Sequence, residues 1–146
     1  MIEFIDDGDM LKDAANVLVC PVNRLGVMGA GLAKAFALRF PHASRSYRAA
    51  CGEGWYTGRV IVGYEDDKTI LFAATKHDWR QPSKLEWIVE TADQIVEEVE
   101  EDDVVACPAL GCGLGGLAWA DVKSVLEAAW TDGPTRYRVY APQEIK

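Results

Sequence analysis

The sequence predicts an α/β fold, a sheet covered by helices, on three observations. Short runs rich in β-branched and other apolar residues alternate with amphipathic helical patterns. The 146 residues, 49% hydrophobic and 26% charged, suit one domain over 1–146 with a substantial core. Two glycine-rich stretches, Gly26–Gly31 and Gly111–Gly116, each follow an apolar run and precede a helical pattern. Ligand crevices of α/β sheets form at such strand-to-helix junctions.

The elements follow in order. A first strand is expected over about 2–5 and a second over 16–22, where Val17-Leu18-Val19-Cys20 reads as a buried strand. The first long helix should begin near Met28 or Gly29 and run to about Phe40, because Leu32, Phe36 and Phe40 repeat at helical spacing and Pro41 punctuates the run. A short helix is expected over 43–50. Gly52, Gly54 and Gly58 then break the periodicity, so the loop 51–58 is expected to be mobile.

Strands follow over 58–64 and 69–74. Ser83-Lys84-Leu85-Glu86 has the S-x-x-E pattern of a capping box, in which Ser83 bonds the N3 amide and Glu86 reaches back to the cap. The helix starting there carries Leu85, Ile88, Ala92, Ile95, Val96 and Val99 as an apolar stripe, with its carboxylates on other faces. A strand over 103–108, a helix from Trp119 or Ala120 to Ala129 stopped by Gly133-Pro134, and a strand over 136–141 complete the chain. Internal repeats, linkers and low-complexity segments are not apparent.

Composition narrows the function classes. No run of eighteen apolar residues occurs, and the chain opens on a strand-like segment instead of a charged region leading into an apolar one, so a cytoplasmic protein without membrane association is expected. Cys20, Cys51, Cys107 and Cys112 form no C-x-x-C pair, which fits a reducing compartment; with His42 and His77 as the only histidines, neither a metal nor a cofactor is expected. The net charge of −8 argues against a broad basic surface coating nucleic acid. A local contact is compatible with it: the acidic excess gathers in 97–103, at Asp6, Asp7 and Asp9 and in 65–67, leaving Lys76, Arg80 and Lys84 in a basic interval. The 97–103 run reads as a solvated helix end in preference to a partner-binding tail.

The first glycine stretch has the order G-x-x-G-x-G, which is neither the dinucleotide fingerprint nor a P-loop. Two purposes are open for it, cradling an anion with backbone N–H groups or letting backbone segments pack closely. Asn23, at the end of an apolar strand, is placed either to bind a sugar hydroxyl or to satisfy backbone groups in a turn.

Taken together, Gly8-Asp9-Met10, Cys20-Pro21-Val22-Asn23, Gly26-Val27-Met28-Gly29-Ala30-Gly31, Thr75-Lys76 and Gly111-Cys112-Gly113-Leu114-Gly115 resemble the macrodomain family over residues 8 to about 122. The pattern is most similar to the branch holding the DNA ADP-ribosylation antitoxins and the terminal ADP-ribose protein glycohydrolase. The resemblance implies a three-layer α/β/α fold with a mixed central sheet and an ADP-ribose cleft at its crest. It implies that Asp9 accepts from the adenine amino group, with Met10 beside it, although Asp9 also reads as a turn residue. Asn23 would face the distal ribose and share in catalysis. Gly26, Val27, Met28, Gly29, Ala30 and Gly31 would form the first phosphate loop, Gly111, Cys112, Gly113, Leu114 and Gly115 the second, with Thr75 between them.

By the same resemblance Lys76 is the catalytic lysine, and two roles are open. As a neutral amine it would attack the anomeric carbon or condense with the opened sugar aldehyde; as a cation it would orient the ribose or departing group. His77, Trp79 and Arg80 offer a π-face, ring nitrogens and a guanidinium for an acceptor such as single-stranded DNA, while Trp79 can equally pack beneath the loop. One departure stands out: the terminal glycohydrolase has an acid where this chain has Gly115, which puts a lysine-plus-aspartate mechanism in doubt. Asp78 and Asp121 read as turn and helix-start residues.

The function expected is therefore an ADP-ribosyl hydrolase releasing ADP-ribose from a macromolecule, with a DNA base favoured. An ADP-ribose 1″-phosphate phosphatase and a non-enzymatic ADP-ribose reader are the alternatives. A cognate ADP-ribosyltransferase is a candidate partner.

Overall fold

A computed structural model describes residues 1–51, 55 and 57–142. Six strands, β1 (Ile2–Ile5), β2 (Val17–Asn23), β3 (Val60–Glu65), β4 (Lys68–Lys76), β5 (Val104–Cys107) and β6 (Arg136–Tyr140), form one sheet in the order β1-β6-β5-β2-β4-β3. Every pairing is parallel except β3 with β4, which is antiparallel, so the sheet is mixed as expected. The helices are α1 (Gly31–Arg39), α2 (Pro41–Ala50), α3 (Leu85–Glu98) and α4 (Trp119–Trp130).

Alternation along the central strands divides the core in two. Leu18, Cys20 and Val22 of β2, with Ile70, Phe72 and Ala74 of β4, pack with Phe36 of α1, Tyr47 of α2 and Phe40 at the joint between those helices. Val17 and Val19, with Leu71 and Ala73, pack with Ile88, Ile95, Val122 and Leu126 of α3 and α4. These two clusters on opposite faces make the three α/β/α layers. Two large side chains of these cores pair their polar atoms: Tyr47 stacks on Phe72 at 4.9 Å and its hydroxyl donates to Asn23 O (2.7 Å), while Trp130 stacks on Tyr137 at 4.4 Å and donates from Nε1 to Ala92 O (3.1 Å).

Several boundaries depart from the sequence-based expectation. The first long helix begins at Gly31, not at Met28 or Gly29, because the Asn23 side chain holds residues 25–27 in a loop (below) and Met28 is buried against the core. Pro41 starts α2 directly, at the position where a missing N–H costs nothing. β4 extends from 69–74 to Lys68–Lys76, since it is paired on both sides. A short 3-10 turn, Met10–Lys12, was not anticipated; Asp9 caps it by accepting from Leu11 N (3.0 Å).

The capping box is absent. The N-cap of α3 is Lys84, with no side-chain bond, and Ser83 lies one residue before it because its N–H is committed to Gly115 O (3.0 Å). The expected mobility of the loop 51–58 falls mostly on residues outside those described.

The segment entering β2 is anchored by Asp13, a buried carboxylate. It accepts from Ala15 N (2.8 Å), Arg138 Nε (2.9 Å) and the Tyr140 hydroxyl (2.5 Å), tying residues 13–15 to β6. Burial alone would raise its pKa, but these hydrogen bonds outweigh it and hold the group below its ordinary value. A depressed folded-state pKa contributes stability that is present above the unfolded value, about 3.9, and is lost as pH falls through the folded one. Asp13→Ala is expected to cost about 3 kcal/mol at pH 7, read as a lower urea midpoint, with Arg138 retaining Glu3 as a partner. The cost should shrink below pH 4 as the wild-type carboxyl protonates.

Candidate functional site

β2, β4 and β5 run parallel, so their carboxyl ends lie together at one edge of the sheet. A cleft of about 540 Å³ opens there, within the size range of small-molecule sites. β2 delivers Pro21, Val22 and Asn23, β4 delivers Thr75 and Lys76, and Pro108 and Ala109 follow β5. The connections complete the wall: Val27 and Gly29 to Ala33 on one side, Gly111 and Gly113 to Gly115 on another, with Trp79 and Ser83 between β4 and α3.

One of the walls presents backbone donors. The N-terminus of α1 opens into the cleft through Gly31, Leu32 and Ala33, and its N-cap, Ala30, has no side chain able to satisfy the first amides. Helix N-termini of this kind attract anions. The glycines there divide by physical cause. A Cβ on Gly29 or Gly113 would meet nothing within 4 Å, and neither has a positive φ, so no contact within the fold requires glycine at either position. Both line the cleft, where a missing side chain lets a ligand approach the backbone.

Gly115 is different. A Cβ there would run into Gly111 O and lie 2.6 Å from Ser83 Oγ. An acidic side chain at this position is sterically incompatible with this loop, so the departure noted at Gly115 has a packing basis. Gly111 (φ +74°) is likewise required, by its backbone conformation and by Leu117.

Asn23 is buried and its side chain is used locally: Oδ1 accepts from Leu25 N (3.0 Å) and Val27 N (3.2 Å), and Nδ2 donates to Val27 O (2.8 Å). Of the two purposes open for it, the structure displays loop shaping. One amide hydrogen stays outside these bonds.

Lys76 ends β4, half-buried in the cleft wall, with Nζ 3.4 Å from Trp79 O. Burial lowers its pKa, which enlarges the neutral fraction at a given pH. Trp79 is 54% exposed at the cleft, so packing beneath the loop is not its arrangement. Arg80 lies over the Trp79 ring at 5.6 Å and grips Asp78 through two bonds (3.0 and 2.6 Å), holding that carboxyl down to about 2. Asp78 is thereby committed to Arg80. His77 is exposed and accepts at Nδ1 from Arg24 Nη1 (2.9 Å).

The structure thus brings Asn23, Val27, Gly29, Ala30, Gly31, Thr75, Lys76, Trp79, Gly111, Gly113, Leu114 and Gly115 into one wall. It does not bring in Asp9 or Met10: the first caps the 3-10 turn and the second is core. Met28 is also core, and Gly26 turns the chain at φ +81° against Cys51 Sγ. Cys112 points at Leu110 O, and burial pushes its thiol up to about 11. His77 and Arg80 adjoin the cleft in sequence without lining it.

The sequence pattern does not single out Ser83, Pro21, Val22, Leu32, Ala33, Pro108 or Ala109 as lining residues. The S-x-x-E pattern gave Ser83 another role, and the rest are apolar residues recognisable as cleft lining only by adjacency to the phosphate loops. Among the described residues no group of three or more His, Cys, Asp or Glu is arranged to hold a metal, and no helix is long and apolar enough to cross a membrane.

Comparison with known proteins places the geometry. A DNA ADP-ribosyl glycohydrolase of Mycobacterium tuberculosis is 37% identical over 134 residues, covering 87% of this chain and 38% of that protein. The chain thus spans less than two fifths of the length of that curated relative. The solved macrodomain of Mycobacterium tuberculosis DarG superposes with a TM-score of 0.90 at 35% identity, covering 98% of this chain and 99% of that one. Thermosipho africanus DarTG, solved in complex with ADP-ribose, superposes with a TM-score of 0.87 at 28% identity over 99% of this chain and 42% of that one. The Macro domain family matches residues 19–126, which includes most of β2, both glycine loops and Lys76. The chain belongs to the Macro domain family.

Proposed function

We propose that this domain binds ADP-ribose in the cleft at the ends of β2, β4 and β5 and releases it from an ADP-ribosylated macromolecule, with a base of single-stranded DNA as acceptor. One observation carries the reading: Lys76, its ammonium form disfavoured by burial, stands in the same wall as the N-terminus of α1 and the glycine-rich loop 111–116. The diphosphate lies against the α1 N-terminus and the 111–116 loop, and the distal ribose is directed toward Lys76. The relative named as a DNA ADP-ribosyl glycohydrolase and the one solved with ADP-ribose support the substrate class.

In the reaction the bond from the anomeric carbon to the base nitrogen breaks. The nitrogen leaves with a proton, and a water oxygen ends as the new anomeric hydroxyl. The neutral Lys76 amine attacks that carbon, the sugar ring opens to an imine, and water hydrolyses the imine to return lysine and ADP-ribose. Gly115 and the Arg80-bound Asp78 supply no second acid, so the lysine carries the chemistry. An exposed Trp79 ring with Arg80 against it gives a base a stacking surface on an otherwise acidic protein. An ADP-ribosyltransferase is the enzyme that makes such a substrate, and this reading implies one as a partner.

Three outcomes are expected. Lys76→Ala should lower the release of ADP-ribose from thymidine-ADP-ribosylated single-stranded DNA by at least about 100-fold, while calorimetric affinity for ADP-ribose stays within a few-fold; unchanged turnover would remove Lys76 from the mechanism. Because the neutral amine reacts, single-turnover rates of the wild type should rise with pH, with a midpoint below the ordinary lysine value of about 10.4. A rate that fell over that range would point to the orienting cation.

The glycines should separate. Gly113→Ala is expected to keep the wild-type melting temperature and bind ADP-ribose about tenfold more weakly, since the added methyl meets ligand and not protein. Gly115→Ala should lower the melting temperature as well.

A further inference from the structure

We propose that Ser83 is a ligand-binding residue of the cleft, its hydroxyl donating a hydrogen bond to a phosphate or ribose oxygen of bound ADP-ribose. This rests on the reading of the cleft as an ADP-ribose site.

Among the described residues three buried side-chain polar atoms have no hydrogen-bond partner: Trp55 Nε1, Ser83 Oγ and Thr91 Oγ1. Ser83 is the one in the cleft wall. A buried hydroxyl without a partner is unfavourable in the free protein, and such groups are few in folded proteins. The usual employment of a serine just before a helix is capping, yet the N-cap of α3 is Lys84 and no side chain caps it.

Its position is closely defined. The Ser83 N–H donates to Gly115 O (3.0 Å), and the residue is 6% exposed. Its Oγ lies 2.6 Å from where a Cβ on Gly115 would stand, and its Cβ lies 3.3 Å from where one on Gly111 would stand. The hydroxyl therefore occupies the space that two glycines keep open beneath the second loop. The hydroxyl carries a donor that no group of the fold accepts, and the cleft it lines also holds the N-terminus of α1, whose first amides are donors. The complementary ligand chemistry is an oxygen-rich acceptor, which a diphosphate or a ribose supplies.

The test measures calorimetric affinity for ADP-ribose and the ligand-free melting temperature on the wild type and Ser83→Ala. The hydroxyl has no partner to lose in the free protein, so the variant should melt at or above the wild-type temperature while binding ADP-ribose about tenfold more weakly. Affinity within twofold of wild type would overturn this inference and leave the site reading intact. A melting temperature lowered in step with affinity would also overturn it, because the hydroxyl would then be bonded within the fold. Wild-type protein that failed to bind ADP-ribose would overturn the inference together with the site reading.

Discussion

The parallel pairing of β2 between β4 and β5 is the constraint on which the rest depends. It brings three strand ends to one edge of the sheet, and each ends where the chain must leave for the next element. Alternating residues of β2 face two separate cores, so the strand cannot slip by one residue without exchanging its faces. Its end point is held as firmly. Tyr47 donates to the Asn23 carbonyl, and the Asn23 side chain folds the following residues into a loop. The register shift between Val22 and Asn23 sets Asn23 opposite Lys76, beside the lysine on the neighbouring strand.

From that arrangement the cleft acquires its chemistry without any concentration of charged side chains. The uncapped N-terminus of α1 supplies main-chain donors, and main-chain donors do not titrate. Among the described residues Lys76 is the ionisable residue in the wall, and partial burial raises the share of its neutral form. Charge elsewhere is organised differently. The formal charge is −8, yet Trp79, Arg80 and Lys84 follow the lysine closely, with Asp78 neutralised by Arg80.

The glycines illustrate how alike residues serve unlike ends. Gly111 and Gly115 are demanded by the protein's own packing and backbone, whereas Gly29 and Gly113 face open space in the cleft. Nothing in the letters of G-x-x-G-x-G or G-C-G-L-G-G separates the two groups. The same holds for Ser83, which pattern assigns to a helix cap and which the loop contact at Gly115 O takes out of register for that role.

What the sequence by itself determined is what local periodicity and composition encode. Leu32, Phe36 and Phe40 mark α1, the stripe from Leu85 to Val99 marks α3, and the apolar runs of β2, β4 and β5 mark buried strands. The joint pattern of Asn23, the two glycine loops and Lys76 indicated the family and most of the cleft wall. Tertiary structure alone decided which glycines are packed and which face the cleft, that Asp9 caps a 3-10 turn while Met10 and Met28 join the core, that the Asn23 side chain shapes its own loop, and that Ser83 faces Gly115. The physical reason is range. Helical and strand patterns repeat within a few residues of one another, whereas the partners that settle these positions, such as Gly115 for Ser83 or β6 for residues 13–15, are brought near only by the folded sheet.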